Sequence, residues 1–332
     1  MSVAPSPLAA ALLRATDALR PYSATPRLDA ELLLAAVLHW PRTRVLAERD
    51  ALLSPAQHAA FQALIARRST LEPVAYILGH KAFYGYDFLV DRRVLVPRPE
   101  TELLVEQTLQ IAARFAAPRI ADIGTGSGAI AVTLALELPA AHVYAVDLSH
   151  DALAVAAENV VRHQVEARVT LLHGDLLTPL PAPLDIIVSN PPYTILAEVD
   201  TNVLAHEPRL ALDGGPDGTM IYQRLLAQAP AALTPDGALL LEIGSWQAET
   251  LTSYARAVFP QAQLQIVRDL ADLDRVLIVR QTPGLKFGSN RRWQAMADDC
   301  GSAPYLALEA RRTGVMQLSS YPFDSRGASC LY

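Results

Sequence analysis

Between residues 119 and 279 the chain alternates short apolar runs with longer amphipathic ones, and this alternation most limits what it can fold into. Seven strands are expected, at 119–123, 142–147, 169–173, 184–189, 238–243, 263–267 and 275–279. Helices are expected at 129–138, 151–163, 219–233 and 248–258. Strands and helices taken in turn bury a mostly parallel sheet beneath helices on its faces, an α/β arrangement.

The residues ahead of this region read differently. Residues 1 to about 68 are helical in pattern, with Leu28, Leu32, Ala35 and Ala36 at helical spacing and Phe61, Leu64 and Ile65 repeating it. Ser54 before Pro55 reads as an N-cap and first helical position. Pro21 and Pro41 punctuate between helices, so a small all-α bundle is expected. From 73 to 99 the character changes. Tyr76, Phe83, Tyr84, Tyr86 and Phe88 cluster around Gly79 and Gly85, and Val90, Val94 and Val96 follow. That reads as short strands with turns, including a hairpin that bridges two domains. A length of 332 residues fits more than one domain. The expected division is 1–75 helical, 76–98 linker with hairpin, and 99–280 α/β. After Arg280 the periodicity fails, and 281–332 is expected to be a poorly ordered tail with no assigned function.

Charge narrows the partner classes. With 28 basic and 34 acidic side chains the net charge is −6, which disfavours general adhesion to nucleic-acid phosphates and suits a protein or small-molecule partner. The two cysteines, Cys300 and Cys330, are too few for a disulfide framework, and the eight histidines lack metal-ligand spacing. No metal is expected. Nor is there a secretory pattern or an apolar run long enough to span a bilayer, so no membrane contact and a cytoplasmic setting are expected.

The run Ala121-Asp122-Ile123-Gly124-Thr125-Gly126-Ser127-Gly128 leaves an expected strand and opens an expected helix. Glycines there allow a tight turn and close approach of a ligand to backbone N–H groups. The spacing is not the dinucleotide G-x-G-x-x-G. Asp147 ends the next strand, where a carboxylate can accept hydrogen bonds from both ribose hydroxyls. Loop and acid together indicate a nucleoside cofactor, either a dinucleotide or S-adenosylmethionine, and do not choose between them.

The choice comes from Ser189-Asn190-Pro191-Pro192-Tyr193, directly after an apolar strand. Two adjoining prolines fix φ and remove two N–H donors, leaving carbonyls free to face outward. The Asn190 side-chain oxygen and the Pro191 carbonyl can then accept from one NH₂ group, with Tyr193 lying over a planar amide or base. Such a grip suits an amino group with a delocalised lone pair, held in line with a sulfonium methyl.

With these motifs in place, the chain from its N-terminal helices to Arg280 resembles the release-factor glutamine methyltransferases, the HemK/PrmC type. The resemblance rests on Glu72-Pro73-Val74-Ala75-Tyr76-Ile77 with Gly79, on Pro97-Arg98-Pro99-Glu100-Thr101-Glu102, and on the two loops above. It rests further on Gly174-Asp175, Glu207-Pro208, Ala211-Leu212, Gly214-Gly215 and Glu242-Ile243-Gly244. It implies a seven-stranded class I S-adenosylmethionine-dependent methyltransferase domain of Rossmann-like form, preceded by a small helical domain and a linking hairpin. It implies that Gly124, Thr125, Gly126, Ser127, Gly128 and Asp147 hold S-adenosyl-L-methionine, with S-adenosyl-L-homocysteine as product. Asp175 and Leu176 would flank the adenine, Leu176 by aliphatic contact where some relatives carry an aromatic. Asn190, which would also adjoin the cofactor, and Pro191, Pro192 and Tyr193 would grip the glutamine amide of the Gly-Gly-Gln motif in peptide chain release factors. A monomer acting on protein, without direct nucleic-acid contact, is expected.

Several readings stay open. The Asn-Pro-Pro-Tyr loop would serve equally for an exocyclic amine of a nucleic-acid base, adenine N6 or guanine N2. A nicotinamide dehydrogenase and a catalytically silent binding module are weaker rivals. Arg98 could reach the cofactor carboxylate or pair with Glu100. Glu242 could border the site or be solvated at a strand end, and Arg67-Arg68 reads as solvated helix surface. Ser127 lacks the partners of a nucleophile.

Overall fold

The computed structural model describes residues 6–281 apart from Ala182 and Asp200. The tail expectation for 281–332 therefore falls, beyond Gln281, outside the described residues.

Helices α1 (Leu8–Leu19), α2 (Pro26–Leu38), α3 (Arg42–Ala47), α4 (Pro55–Arg68) and α5 (Val74–Leu78) come first, with β1 (Ser6–Pro7) paired to β2 (Leu52–Leu53). Leu8, Leu33, Leu34, Phe61 and Ile65 meet in one apolar core. Helix α4 starts where Ser54 and Pro55 place it. Ser54 Oγ accepts from the Gln57 N–H at 3.2 Å while the Gln57 side chain accepts from the Ser54 N–H at 2.9 Å. The inward stripe of α2 departs from the expected one. Leu28 is exposed, while Asp29 and Glu31 are buried. Arg68 donates to Asp29 at 2.7 Å, and Arg27 and Arg42 donate to Glu31 at 2.8 and 2.9 Å, so these acids are carried inward by cations from other turns and helices.

Residues 74–78 are helical rather than extended. The hairpin follows as β3 (His80–Phe83) and β4 (Tyr86–Leu89), joined by a two-residue turn. Val90, Val94 and Val96 lie outside any strand and pack with Tyr76 against Ala152 and Val155.

Helix α6 (Thr101–Ala112) precedes the sheet and was not among the expected helices, although Leu104, Val105, Thr108 and Ile111 are buried at helical spacing. Then come β5 (Arg119–Ile123), α7 (Ala129–Glu137), β6 (His142–Asp147), α8 (His150–Arg162), β7 (Val169–His173), β8 (Leu184–Ser189) and α9 (Thr201–His206). The last elements are α10 (Met220–Ala232), β9 (Leu233–Glu242), α11 (Ala248–Val258), β10 (Gln263–Arg268) and β11 (Asp274–Arg280). Their order across the seven-stranded sheet is β10-β11-β9-β8-β5-β6-β7. Strands β9 through β7 in that order are parallel, and β11 and β10 close one edge antiparallel.

Both faces of the sheet are buried. Ile186, Val188 and Leu240 point to the side of Leu104, Ile130 and Leu134, and Ile187, Leu239 and Leu241 to the side of Tyr222, Leu225 and Leu251. Continuous apolar strands follow from this two-sided burial. Strand β9 begins earlier than expected because Thr234 to Gly237, turn-like in sequence, are absorbed as an irregularity opposite Asp185. Chain order reverses between β5 and β8, so the loops leaving their C-terminal ends diverge and open a crevice there.

Candidate active site

The glycine loop leaves β5 at that crevice. The N–H groups of Gly124 and Thr125 donate to the Val146 carbonyl at 2.9 and 3.0 Å, fastening the turn to β6. Beneath it sits Asp122, fully buried, whose Oδ2 accepts from Thr125 Oγ1 at 2.6 Å and from the Ala131 N–H at 3.1 Å. Its Oδ1 has no partner among the described residues. Burial pushes the Asp122 carboxyl up to about 7, against the pull of the Thr125 and Ala131 hydrogen bonds. Asp122 was quoted in the motif but given no role. An acid inside a buried strand just ahead of the glycines was the available signal.

Asp147 ends β6 beside the loop. Its Oδ2 accepts from the Gly126 N–H and its Oδ1 from the Ser149 N–H, each at 2.9 Å, and burial raises its pKa. Capping of α8 falls to Ser149, which accepts from the Ala152 N–H at 3.2 Å, so Asp147 is not the helix cap. The Gly174 N–H donates to the Asp147 carbonyl at 3.1 Å and brings the 174–176 turn alongside. There Asp175 is paired with Arg224, and Leu176 is largely buried in a left-handed conformation, φ 52°. Ser127 is buried, and its carbonyl accepts from Asn159 Nδ2 at 2.9 Å.

These residues fit a bound S-adenosyl nucleoside. Gly124 and Gly126 have φ 73° and 55°, and a Cβ built on either meets no described atom within 4 Å. The space over these two Cα atoms is therefore open to close approach of a ligand. Beside it stands Asp147, a carboxylate with spare lone pairs.

The acceptor loop lies next door. Ser189 pairs in register with Ile123, and its Oγ donates to the Ile123 carbonyl at 2.7 Å. The two loops thus leave neighbouring parallel strands at the same level. Asn190 Nδ2 donates to Thr101 Oγ1 at 3.1 Å, and among the described residues neither Asn190 Oδ1 nor the Pro191 carbonyl has a partner. Tyr193 is seated by a second turn. The Thr194 N–H donates to the Leu212 carbonyl at 3.1 Å and the Gly214 N–H to the Thr194 carbonyl at 2.8 Å. Trp246 meets the Tyr193 ring edge-on, centroids 6.2 Å apart. Gly218 has φ 72°, and a Cβ there would stand 2.4 Å from the Tyr193 carbonyl oxygen. Gly218→Ala should therefore push the acceptor loop out of line, lowering methyl transfer by about 100-fold while cofactor affinity, read by calorimetry, stays near wild type.

Three polar readings need correction. Arg98 does not pair with Glu100; it donates to both oxygens of buried Glu207 at 2.7 and 2.8 Å, joining the Pro97-Arg98-Pro99 segment to Glu207-Pro208. Arg98→Ala strands that carboxylate and should cost about 2 kcal/mol in a denaturant titration. Glu242 is not solvated but 1% exposed. Arg68 is not solvated surface but largely buried and grips Asp29 at 2.7 Å, whereas Arg67 is exposed, as expected, and pairs along the surface with Glu72 at 2.6 and 2.8 Å. Among the described residues no group of three or more His, Cys, Asp or Glu is placed to hold a metal ion, and no helix is long and apolar enough to cross a membrane.

Residues 10–79 match the family described as PrmC N-terminal domain, and residues 99–207 match the methyltransferase small domain. The release factor glutamine methyltransferase of Moorella thermoacetica is 46% identical over 257 residues, covering 76% of this chain and 90% of that protein. That of Geobacter sulfurreducens is 44% identical over 256 residues, covering 76% and 88%. That of Bordetella pertussis is 46% identical over 260 residues, covering 76% and 93%.

Proposed function

The chain belongs to the release factor glutamine methyltransferases, and from that premise we propose that it methylates the side-chain amide nitrogen, N5, of the glutamine in the Gly-Gly-Gln motif of peptide chain release factors. S-adenosyl-L-methionine, when bound, supplies an electrophilic methyl group on a sulfonium, and S-adenosyl-L-homocysteine is left. The chain's own residues bind, orient and shield. Gly124, Thr125, Gly126, Ser127 and Gly128 give a glycine-rich cradle with helix-start N–H groups, and Asp147 gives ribose acceptors. Asp175 and Leu176 bound the adenine end. Asn190 Oδ1 and the Pro191 carbonyl accept the two N–H bonds of the substrate amide, Pro192 stiffens the turn, and Tyr193 covers the amide plane.

Those two hydrogen bonds fix the nitrogen in line with the methyl and draw its N–H bonds toward oxygen as positive charge develops, and one N–H proton is then lost to water. No side-chain nucleophile is required. The observation that carries the reading is the shared register of Ile123 and Ser189, which sets the cofactor and acceptor loops at one level on adjacent strands. In this account residues 1–75 recognise the release factor, 76–98 join the two parts, and 99–280 carry the chemistry. The working form is a cytoplasmic monomer that makes no direct contact with nucleic acid. A release factor whose motif glutamine is replaced by glutamate tests the substrate: label transfer from S-adenosylmethionine should vanish, and undiminished labelling would refute the assignment. Labelling of a nucleic-acid base through the same loop would favour the alternative.

A further inference from the structure

Thr101, the first residue of α6, is 4% exposed and stands between two groups that the acceptor grip brings into question. On one side its Oγ1 receives the hydrogen bond from Asn190 Nδ2 at 3.1 Å. On the other stands the carboxylate of Glu242, the last residue of β9, whose charged form the Thr101 hydroxyl favours. Glu242 is 1% exposed, and its Oε2 has no partner among the described residues. A buried, half-satisfied carboxylate is costly where an apolar residue would pack well, so its place at this strand end calls for a reason.

The reason lies in the polarity of the chain of bonds. A hydroxyl has one proton and donates in one direction only. When ionised Glu242 accepts that proton, Thr101 can only receive from Asn190. The amide NH₂ of Asn190 is then turned toward Thr101 and its Oδ1 toward the crevice, where a substrate NH₂ meets an acceptor. When Glu242 is protonated it can donate to Thr101, whose own proton then turns to Asn190. The carboxamide is asked to flip, and it would face the substrate donor against donor. We propose that Thr101 and Glu242 are positioning residues for methyl transfer, a buried hydroxyl–carboxylate pair that sets which end of the Asn190 carboxamide the glutamine amide meets. This rests on the acceptor role given to Asn190 above.

The surroundings leave Glu242 as the group that governs the pair. Arg275 of β11 is held by Asp269 at 3.1 Å and Arg98 by Glu207, so neither neighbouring cation pairs with Glu242. Glu100 disfavours its charge from the start of α6, and Tyr222 of α10 donates to its backbone carbonyl at 2.7 Å, while Tyr193 faces it from the acceptor loop. Burial pushes the Glu242 carboxyl up to about 7, with the nearby Thr101 hydroxyl working against it. Turnover should therefore climb as pH rises through about 7 and then level off. Asp122 titrates in the same range, so variants are needed to assign the limb.

The test is single-turnover methylation of a release factor across pH, with S-adenosylhomocysteine affinity measured in parallel. Thr101→Val, nearly isosteric, should lower kcat by about 30-fold with cofactor affinity unchanged, and Thr101→Ser should recover most of that loss. Glu242→Gln should abolish the acidic limb. It should also remove a stability loss that the wild type suffers as pH rises from the ordinary glutamate range through about 7, since a raised carboxyl pKa favours folding only while the group holds its proton. Thr101→Val at wild-type kcat, or an acidic limb that survives Glu242→Gln, would overturn the positioning pair. If Asn190→Ala is inactive while Thr101→Val is fully active, only this inference fails. If Asn190→Ala is itself fully active, the acceptor reading fails and takes the inference with it.

Discussion

Asn190→Ala should bind S-adenosylhomocysteine as the wild type does and lose roughly 100- to 1000-fold in kcat, the range found when one preorganised polar partner of a developing charge is deleted. The separation of the two effects follows from where Asn190 sits. Its side chain touches Thr101, not the glycine loop, and the loop's fastenings run to Val146, Asp122 and Asp147. The loss therefore falls on the acceptor side. Two prolines continue to shape the turn and the Pro191 carbonyl remains, so one of two acceptors survives. The substrate amide keeps one hydrogen bond and gains freedom to rotate out of line, which costs reaction rate more than binding. Single-turnover kinetics with calorimetry reads both quantities. Unchanged kcat, or cofactor affinity that falls in step with it, would contradict the role.

Asp147→Ala should act on the other side, weakening cofactor binding by about 100-fold, since hydrogen bonds to a charged group contribute about 1.5–3 kcal/mol each. The carboxylate holds the Gly126 N–H and the Ser149 N–H from opposite oxygens, so its loss both removes an acceptor for ribose and releases the middle of the glycine loop. The sheet should survive, because β6 remains paired with β5 and β7 and α8 keeps Ser149 as its cap. A circular-dichroism melt near wild type with a cofactor Kd raised about 100-fold is the expected pair of results. A Kd within threefold of wild type would show that Asp147 merely staples the loop.

Much of this architecture can be read from the chain itself. Strands β5, β6, β7 and β8 fall at the bounds expected from apolar runs, because parallel strands covered on both faces are apolar at successive positions and end abruptly in Gly, Asp, Ser or His. The two loops were legible for the same reason: each begins where such a strand stops. What escaped were polar residues whose partners are distant in sequence. Spacing along α2 pointed Leu28 inward, but Arg68 and Arg42 turn Asp29 and Glu31 to the core instead. Arg98 was weighed against its near neighbour Glu100 when its partner is Glu207. Glu242 reads as a strand-end acid until the fold buries it beside Thr101. Periodicity registers which side chains avoid water and is silent on which charges meet.

The most direct test of the central claim is fragmentation mass spectrometry of a release factor incubated with this protein and S-adenosylmethionine carrying a labelled methyl. A single labelled methyl should appear on the side-chain nitrogen of the Gly-Gly-Gln glutamine and be absent with Asn190→Ala. Label on any other residue, on nucleic acid, or on no macromolecule at all would contradict it.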